Sequence, residues 1–229
     1  MITDVSQAWV VRKYWAGDTS AWVVFFTKEY GLIRGYYKGG RLPKKQALIQ
    51  PFIPLWLSMD VRRDAYFVSK LEMVGSSPVL IGQTLFAGLY MNELVYYALT
   101  QDDPHPALHV DYSNALHSLN HTKDRKAIEQ SLRRFERAIL FACGSHMSLT
   151  HEADSSKPIV ENNFYQFIPG LGFNRSTEGI SGRHILAFAR DELDDEVVLK
   201  EAKYIMRRAI GHALEGREIK SRELYTHST

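Results

Sequence analysis

Five short runs of β-branched and aromatic residues fill the first 75 residues of the chain, and short polar turns separate them. The runs cover residues 5–14, 20–28, 32–38, 52–59 and 65–74. Such a pattern predicts strands of an antiparallel sheet. Because five strands in so short a segment leave no exposed edge to spare, we expect them to close, or nearly close, into a small barrel.

Five strands favour the OB-fold, and the SH3-like barrel is the rival. After residue 78 the apolar residues recur every three or four positions, which predicts helices. We expect them at residues 79–99, 106–120, 124–144, 182–190 and 194–216, with Asp124 as a cap candidate. Residues 145–181 contain many Gly, Ser and Asn and predict a loop-rich insertion with room for a hairpin. The predicted class is α+β, with an OB-fold-like domain at 1–78 and an all-helical domain at 79–229.

Positive charge is concentrated in the predicted barrel. Residues 1–75 carry 11 Lys and Arg against six Asp and Glu, although the net charge of the whole chain is only +2. The same third holds 13 of the 27 Phe, Trp and Tyr residues and all four Trp. Aromatic rings among cations suit single-stranded nucleic acid, because every base has a face to stack. The alternative is that these rings form the barrel core.

The stretch KGGRLPKK, residues 38–45, places four cations among two glycines and a proline, and we expect neither regular helix nor strand there. A cationic loop at the end of a strand can follow a phosphodiester backbone without reading bases. The alternative is solvated surface charge. The candidate DNA-binding residues are Lys38, Arg41, Lys44, Lys45, Arg34, Arg62 and Arg63, and Arg12 and Lys13 could extend the surface.

Catalytic and metal-binding patterns are weak. The sequence contains no phosphate-binding loop motif and no zinc-protease helix motif. The acidic run at 191–196 is expected to be a solvated helix start. Cys143, His146 and His151 are three loosely spaced ligand candidates without a fourth, so we predict no metal.

A single cysteine, the lack of a long apolar span and no recognisable secretory signal fit a cytoplasmic protein without a membrane span.

A second basic feature occurs at residues 131–144. There Arg133, Arg134 and Arg137 border an apolar stripe of Leu132, Phe135 and Ile139. Cations beside an exposed apolar groove would suit an acidic, hydrophobic peptide tail. The alternative is a helix with an ordinary basic outer face.

Five stretches lie in an order and spacing that resemble the bacterial RecO family of DNA repair and recombination mediators. They are VFFTKEYGLIRGYYKGGR (24–41), QPFIPL (50–55), GLYMNELV (88–95), LRRFERAIL (132–140) and REIKSRELY (217–225). The resemblance implies an OB-fold, a helical domain and a zinc-binding or degenerate zinc-binding insertion. It also implies binding of single- and double-stranded DNA and annealing of complementary strands, without catalytic turnover, in a cytoplasmic, nucleoid-associated protein.

The partners that the resemblance implies are RecR, in some lineages RecF, and the acidic C-terminal tail of single-stranded DNA-binding protein (SSB). Together they load RecA onto coated single strands. The family's basic loop corresponds to Lys38–Arg41, and the arginines implicated in holding the SSB tail correspond to Arg133 and Arg134. The insertion at 145–181 contains no Cys, unlike that of zinc-bearing members. We therefore expect no cofactor, and packing by Phe164, Tyr165, Phe167 and Phe173 in place of the metal.

Two other functions compete with that of a mediator. The barrel and helices could form an interaction scaffold that binds only proteins, because no nucleic-acid motif as rigid as a zinc finger is present. An enzyme using Cys143, His146 and His151 is the third hypothesis.

Overall fold

The computed structural model describes residues 3–62 and 65–226. Five strands close into a barrel in the order β1-β2-β3-β5-β4. They are β1 (Thr3–Ala16), β2 (Ser20–Thr27), β3 (Gly31–Tyr37), β4 (Leu55–Arg62) and β5 (Ala65–Met73). Neighbouring strands are antiparallel except β3 and β5, which run parallel. The prediction of an α+β protein with an OB-fold-like barrel is confirmed.

Alternate residues of the strands fill the barrel. Val23, Phe25, Ile33, Leu57 and Met59 are all buried in one apolar cluster inside it. Their neighbours along each strand therefore lie on the outer face, because successive side chains of a strand point to opposite sides.

The segment after β3 differs from its prediction. Pro43–Leu48 forms a short helix, α1, so the expectation of neither helix nor strand for residues 38–45 was wrong for residues 43–45. Pro43 occupies the first turn, where a missing N–H costs nothing and the fixed φ suits a helix. Gly39 has a φ of +72°, which explains why glycine occupies the turn that precedes it.

One compact unit combines the barrel with α2 (Gln83–Ala98), α3 (Pro106–Asn120) and the C-terminal segment. That segment contains a 3₁₀ turn, Lys220–Arg222, and α7, Glu223–Thr226. Trp9 and Phe26 of the barrel contact the ring of Tyr112 in α3, with centroids 5.6 and 5.9 Å away. The predicted boundary at residue 78 marks the change from strands to helices, and as a domain boundary it stays a prediction.

The second compact unit is Asp124–Glu218. It contains α4 (Arg125–Ala142), the strands β6 (Phe164–Ile168), β7 (Gly172–Ser176) and β8 (Ile180–Ser181), and the helices α5 (Gly182–Ala189) and α6 (Glu196–Ala213). The carboxylate of Asp124 caps α4 by accepting from two backbone N–H groups, and Asp195 does the same for α6. Those hydrogen bonds lower the pKa of Asp195, as expected for a carboxylate at a helix start.

The cysteine-free insertion is built around a small sheet in which β6 pairs with both β7 and β8. Tyr165, Phe167 and Phe173 are buried, and the rings of the last two lie 5.2 Å apart. The backbone N–H of Val160 donates to the Tyr165 hydroxyl over 2.9 Å. Packing by these three rings was predicted correctly, whereas Phe164 is 47% exposed and packs little.

Candidate nucleic-acid interface

Residues 38–45, here called the basic loop, are fixed against the turn between β1 and β2. The Arg41 backbone N–H donates to Thr19 O over 2.8 Å, and its guanidinium donates to Gly17 O over 2.8 Å. Lys45 Nζ closes the loop on itself by donating to Lys38 O over 2.8 Å. Lys38, Arg41 and Lys44 are exposed and Lys45 is half-buried. Their charges are thus held on one short, anchored segment.

The indole of Trp15 joins the basic loop to the end of β1. Trp15 is 46% exposed, and the Arg41 guanidinium lies 5.2 Å from its ring centroid. Lys13 Nζ lies 5.6 Å from the same ring and also donates to Ile49 O and Gln50 Oε1. Burial lowers the pKa of Lys13. Two cations therefore contact one exposed aromatic ring beside the loop.

Arg34 and Arg62 lie against other rings of the barrel. The Arg34 guanidinium is 4.7 Å from the centroid of Trp22, and that of Arg62 is 5.6 Å from Phe67. Arg62 also pairs with Asp60 over 3.6 Å, and both arginines are exposed. Arg12 lies over Tyr14 and Tyr96 instead. Arg63 lies outside the described residues.

The structure separates the three arginines of α4. Arg133 is 5% exposed, and its guanidinium donates to Glu136 over 2.7 Å, so it is not available on the surface. Arg134 is exposed and pairs with Asp191 over 2.7 Å. Arg137 donates to Phe188 O over 3.0 Å and lies over the Phe188 ring.

The apolar stripe of α4 is core, because Leu132, Phe135 and Ile139 are all buried. The interpretation as an exposed groove was therefore wrong for these three residues. The exposed apolar side chain of this helix is Phe141, which is 70% exposed and contacts the ring of His146. Phe141 follows Arg137 by one helical turn, so a cation and an aromatic ring are neighbours on the surface of α4.

Within residues 3–62 and 65–226, no group of three or more His, Cys, Asp or Glu side chains is arranged to hold a metal ion. The Cys143 thiol lies 3.6 Å from Leu140 O on its own helix. In the same described ranges, none of the helices is long and apolar enough to span a bilayer.

Known proteins similar to this chain agree on one family. Residues 1–77 match the family Recombination protein O N terminal, and residues 82–223 match Recombination protein O C terminal. A DNA repair protein RecO of Legionella pneumophila is 50% identical over 226 residues, covering 98% of this chain and 99% of the relative. Those of Laribacter hongkongensis and Pseudoalteromonas atlantica are 34% and 32% identical, covering 95% and 98% of this chain and 92% and 95% of theirs.

The chain belongs to the RecO family. The resemblance drawn from the five sequence stretches is confirmed, and with it a role in DNA repair and recombination. The roles of individual residues stay predictions.

Sequence reasoning located the basic loop of this RecO-family protein but missed the aromatic ring that contacts its cations. Trp15 was not singled out, although it is the ring that Arg41 and Lys13 share. A signal was present, since Trp15 directly follows the predicted strand 5–14 and is the next-to-last residue of β1, beside the following turn. The burial of Arg133 could not be predicted from the sequence of α4, because the helical pattern does not show which flanking residues other elements cover.

Proposed function

We propose that this RecO-family protein binds single- and double-stranded DNA and anneals complementary strands. With RecR, and with RecF where that protein takes part, it helps to load RecA onto SSB-coated single strands. The barrel, residues 1–78, would bind the DNA, and the helical part, residues 79–229, would carry contacts with protein partners. We expect no catalytic turnover and a cytoplasmic, nucleoid-associated location.

The observation that carries this proposal is the basic loop with its neighbours. Lys38, Arg41 and Lys44 are exposed on one anchored segment, and Lys13 and Arg41 share the Trp15 ring. Moreover, residues 30–59, which include the basic loop, contain no Asp or Glu. Clustered cations of this kind bind phosphates and need no particular base sequence, which annealing requires because the strands must slide into register.

The test replaces Lys38, Arg41, Lys44 and Lys45 by Ala and measures the affinity for a single-stranded oligonucleotide across a salt series. Each lost phosphate contact should reduce the slope of log K against log salt by about 0.7, so the loss of all four should reduce it by about 3. A matched control replaces Lys123, Lys157, Lys200 and Arg207, which are exposed and distant in sequence from the loop. Unchanged annealing by the loop variant would show that the loop is not the DNA site.

We also propose that the acidic SSB tail binds beside Arg134 and Arg137 of α4. Arg134 is exposed and held by a single carboxylate, Asp191, which a tail carboxylate could replace. Arg133 would support the site from the core, since its own guanidinium is bound to Glu136.

Arg134→Ala should weaken binding of an SSB tail peptide by about 1–3 kcal/mol, because it removes a charged hydrogen bond. Asp191→Asn should strengthen it, since the competing carboxylate is gone and Asn tolerates the positive φ of 63° at this position. If both variants bind the SSB tail peptide as tightly as the wild-type protein does, the tail binds elsewhere. A scaffold that binds only proteins would show negligible oligonucleotide binding even at low salt.

A further inference from the structure

Four aromatic side chains form a row across the outer face of the barrel. Tyr14 of β1 pairs in register with Trp22 of β2, Trp22 with Tyr36 of β3, and Tyr36 with Phe67 of β5. We call these four residues the aromatic row. Trp22, Tyr36 and Phe67 stand next to core residues of their strands, and all four rings of the row are half-buried. The row thus lies at the surface of four adjacent strands.

Close approach of β3 and β5 brings the middle of the row together. Gly35 precedes Tyr36, and a Cβ at this position would lie 2.8 Å from Val68 Cγ2. The missing side chain therefore lets the two strands pair side by side. As a result the centroids of Tyr36 and Phe67 are 6.2 Å apart, and those of Trp22 and Tyr36 are 5.2 Å apart.

Guanidinium groups flank the row. Arg34 lies over Trp22 and Arg62 over Phe67, and Arg12 lies over Tyr14. Along β3, Tyr36 is followed after two residues by Lys38, the first cation of the basic loop. Lys38 directly follows the last residue of β3, so the basic loop begins at the end of the strand that carries Tyr36 of the row.

We propose that the aromatic row stacks the unpaired bases of single-stranded DNA while the basic loop binds its phosphates. This inference rests on the proposed function and adds the part of the ligand that the row recognises. Aromatic rings and guanidinium planes both stack bases, and neither requires a particular base. Trp9, by contrast, is 7% exposed and packs on Tyr112, so it cannot take part.

The orientation of the rings in the row favours single strands over duplex. Successive bases of a duplex strand are about 3.4 Å apart and stack on one another. The planes of Trp22 and Tyr36 differ by 65°, and those of Tyr36 and Phe67 by 69°, so bases stacked on neighbouring rings cannot stay parallel and stacked on each other. A base that pairs with a complementary strand leaves the ring, which releases the annealed product from the row.

The test compares two oligomers of equal length and charge. One is oligothymidylate of about 16 nucleotides, the upper site size of one OB-fold, and the other is an abasic sugar–phosphate chain of that length. The wild-type protein should bind oligothymidylate at least about fivefold more tightly, because each stacked base contributes roughly 5- to 150-fold in affinity. Trp22→Leu and Phe67→Leu should each bring this ratio closer to one and leave the affinity for the abasic chain unchanged.

Two controls separate stacking from folding. Trp22→Phe keeps an aromatic face and should retain most of the ratio. Trp56→Leu removes a 39% exposed ring of β4 that is not in the row, and it should change neither affinity. Thermal unfolding identifies the variants that remain folded.

An unchanged ratio in folded Trp22→Leu and Phe67→Leu would overturn the stacking role and assign the rings to sheet packing alone. That outcome leaves the proposed DNA-binding function intact, since binding of the abasic chain reports on the phosphate contacts. If the wild-type protein binds neither oligomer, both the proposed function and the role of the row are wrong.

Discussion

At the scale of single residues, Asn92 connects a helix to an irregularity in the barrel. The pairing of β1 with β2 shifts register between Val10 and Arg12, which is a β-bulge. The buried Asn92 side chain of α2 donates to Val10 O over 3.4 Å and accepts from the Tyr112 hydroxyl of α3. A bulge disrupts the ladder locally, and this amide supplies a hydrogen bond at that point.

We expect Asn92→Ala to lower the free energy of unfolding by about 1–3 kcal/mol, the cost of removing hydrogen bonds from buried polar groups. Urea unfolding measures the change. Asn114→Ala in the exposed part of α3 is the matched control and should change stability by less than about 0.5 kcal/mol. Equal losses in the two variants would contradict a structural role for the Asn92 amide.

A second prediction at this scale concerns the contribution of the buried pair of Arg133 and Glu136 to stability. Arg133→Met should destabilise the protein by about 3–5 kcal/mol, since it leaves the Glu136 carboxylate buried without this cation. The double variant Arg133→Met, Glu136→Leu should recover much of that loss, because apolar residues can replace a buried ion pair at little cost. Chemical unfolding of the two single variants and the double variant checks this. A double variant as unstable as the sum of the single ones would show that the pair is not coupled.

At the scale of elements, the C-terminal 3₁₀ turn is held by a side chain of α2. The Glu93 carboxylate accepts from the backbone N–H groups of Lys220 and Ser221 over 3.0 and 2.8 Å. Arg222 also donates to the Tyr90 hydroxyl over 3.2 Å. Two of the sequence stretches that resemble RecO, 88–95 and 217–225, therefore meet at this contact.

Glu93→Ala should release the 3₁₀ turn without unfolding the barrel, because it removes the acceptor of both N–H groups. Hydrogen exchange at Lys220 and Ser221 should accelerate by about five- to 150-fold, which corresponds to about 1–3 kcal/mol. Exchange in β2 and β3 serves as the internal control and should not change. Unaltered protection at both C-terminal amides would mean that another contact holds the turn.

The elements that the sequence predicted well are those with strong local signals. Runs of β-branched and aromatic residues placed the five strands, and Asp124 and the acidic run at 191–196 marked two helix starts. The helix α1 was missed because a proline with nearby glycines looks the same in a turn and in a first helical turn. The aromatic row depends on which strands are neighbours, and the parallel pairing of β3 with β5 is not visible in either strand's own sequence.

At the scale of the whole molecule, one buried histidine links stability to pH. His109 of α3 is 4% exposed and packs against Phe26 of the barrel, with ring centroids 5.3 Å apart. Burial lowers the pKa of His109 to about 4, with a smaller opposing effect of Glu29 and a smaller reinforcing effect of Lys28. The imidazole is therefore neutral in the folded protein at neutral pH, where it forms part of the contact between α3 and the barrel.

Because the folded pKa of His109 lies below its unfolded value of about 6.5, only the unfolded chain binds a proton between these values. Stability from this group is complete above pH 6.5 and falls as the pH drops toward 4, by at most about 3 kcal/mol. His109→Phe should remove this part of the pH dependence, as measured by urea unfolding of both proteins from pH 7 to pH 4. His117→Phe, at an exposed position of the same helix, should follow the wild-type curve. Parallel curves for wild type and His109→Phe would show that protonation of His109 does not oppose the packing of α3 on the barrel.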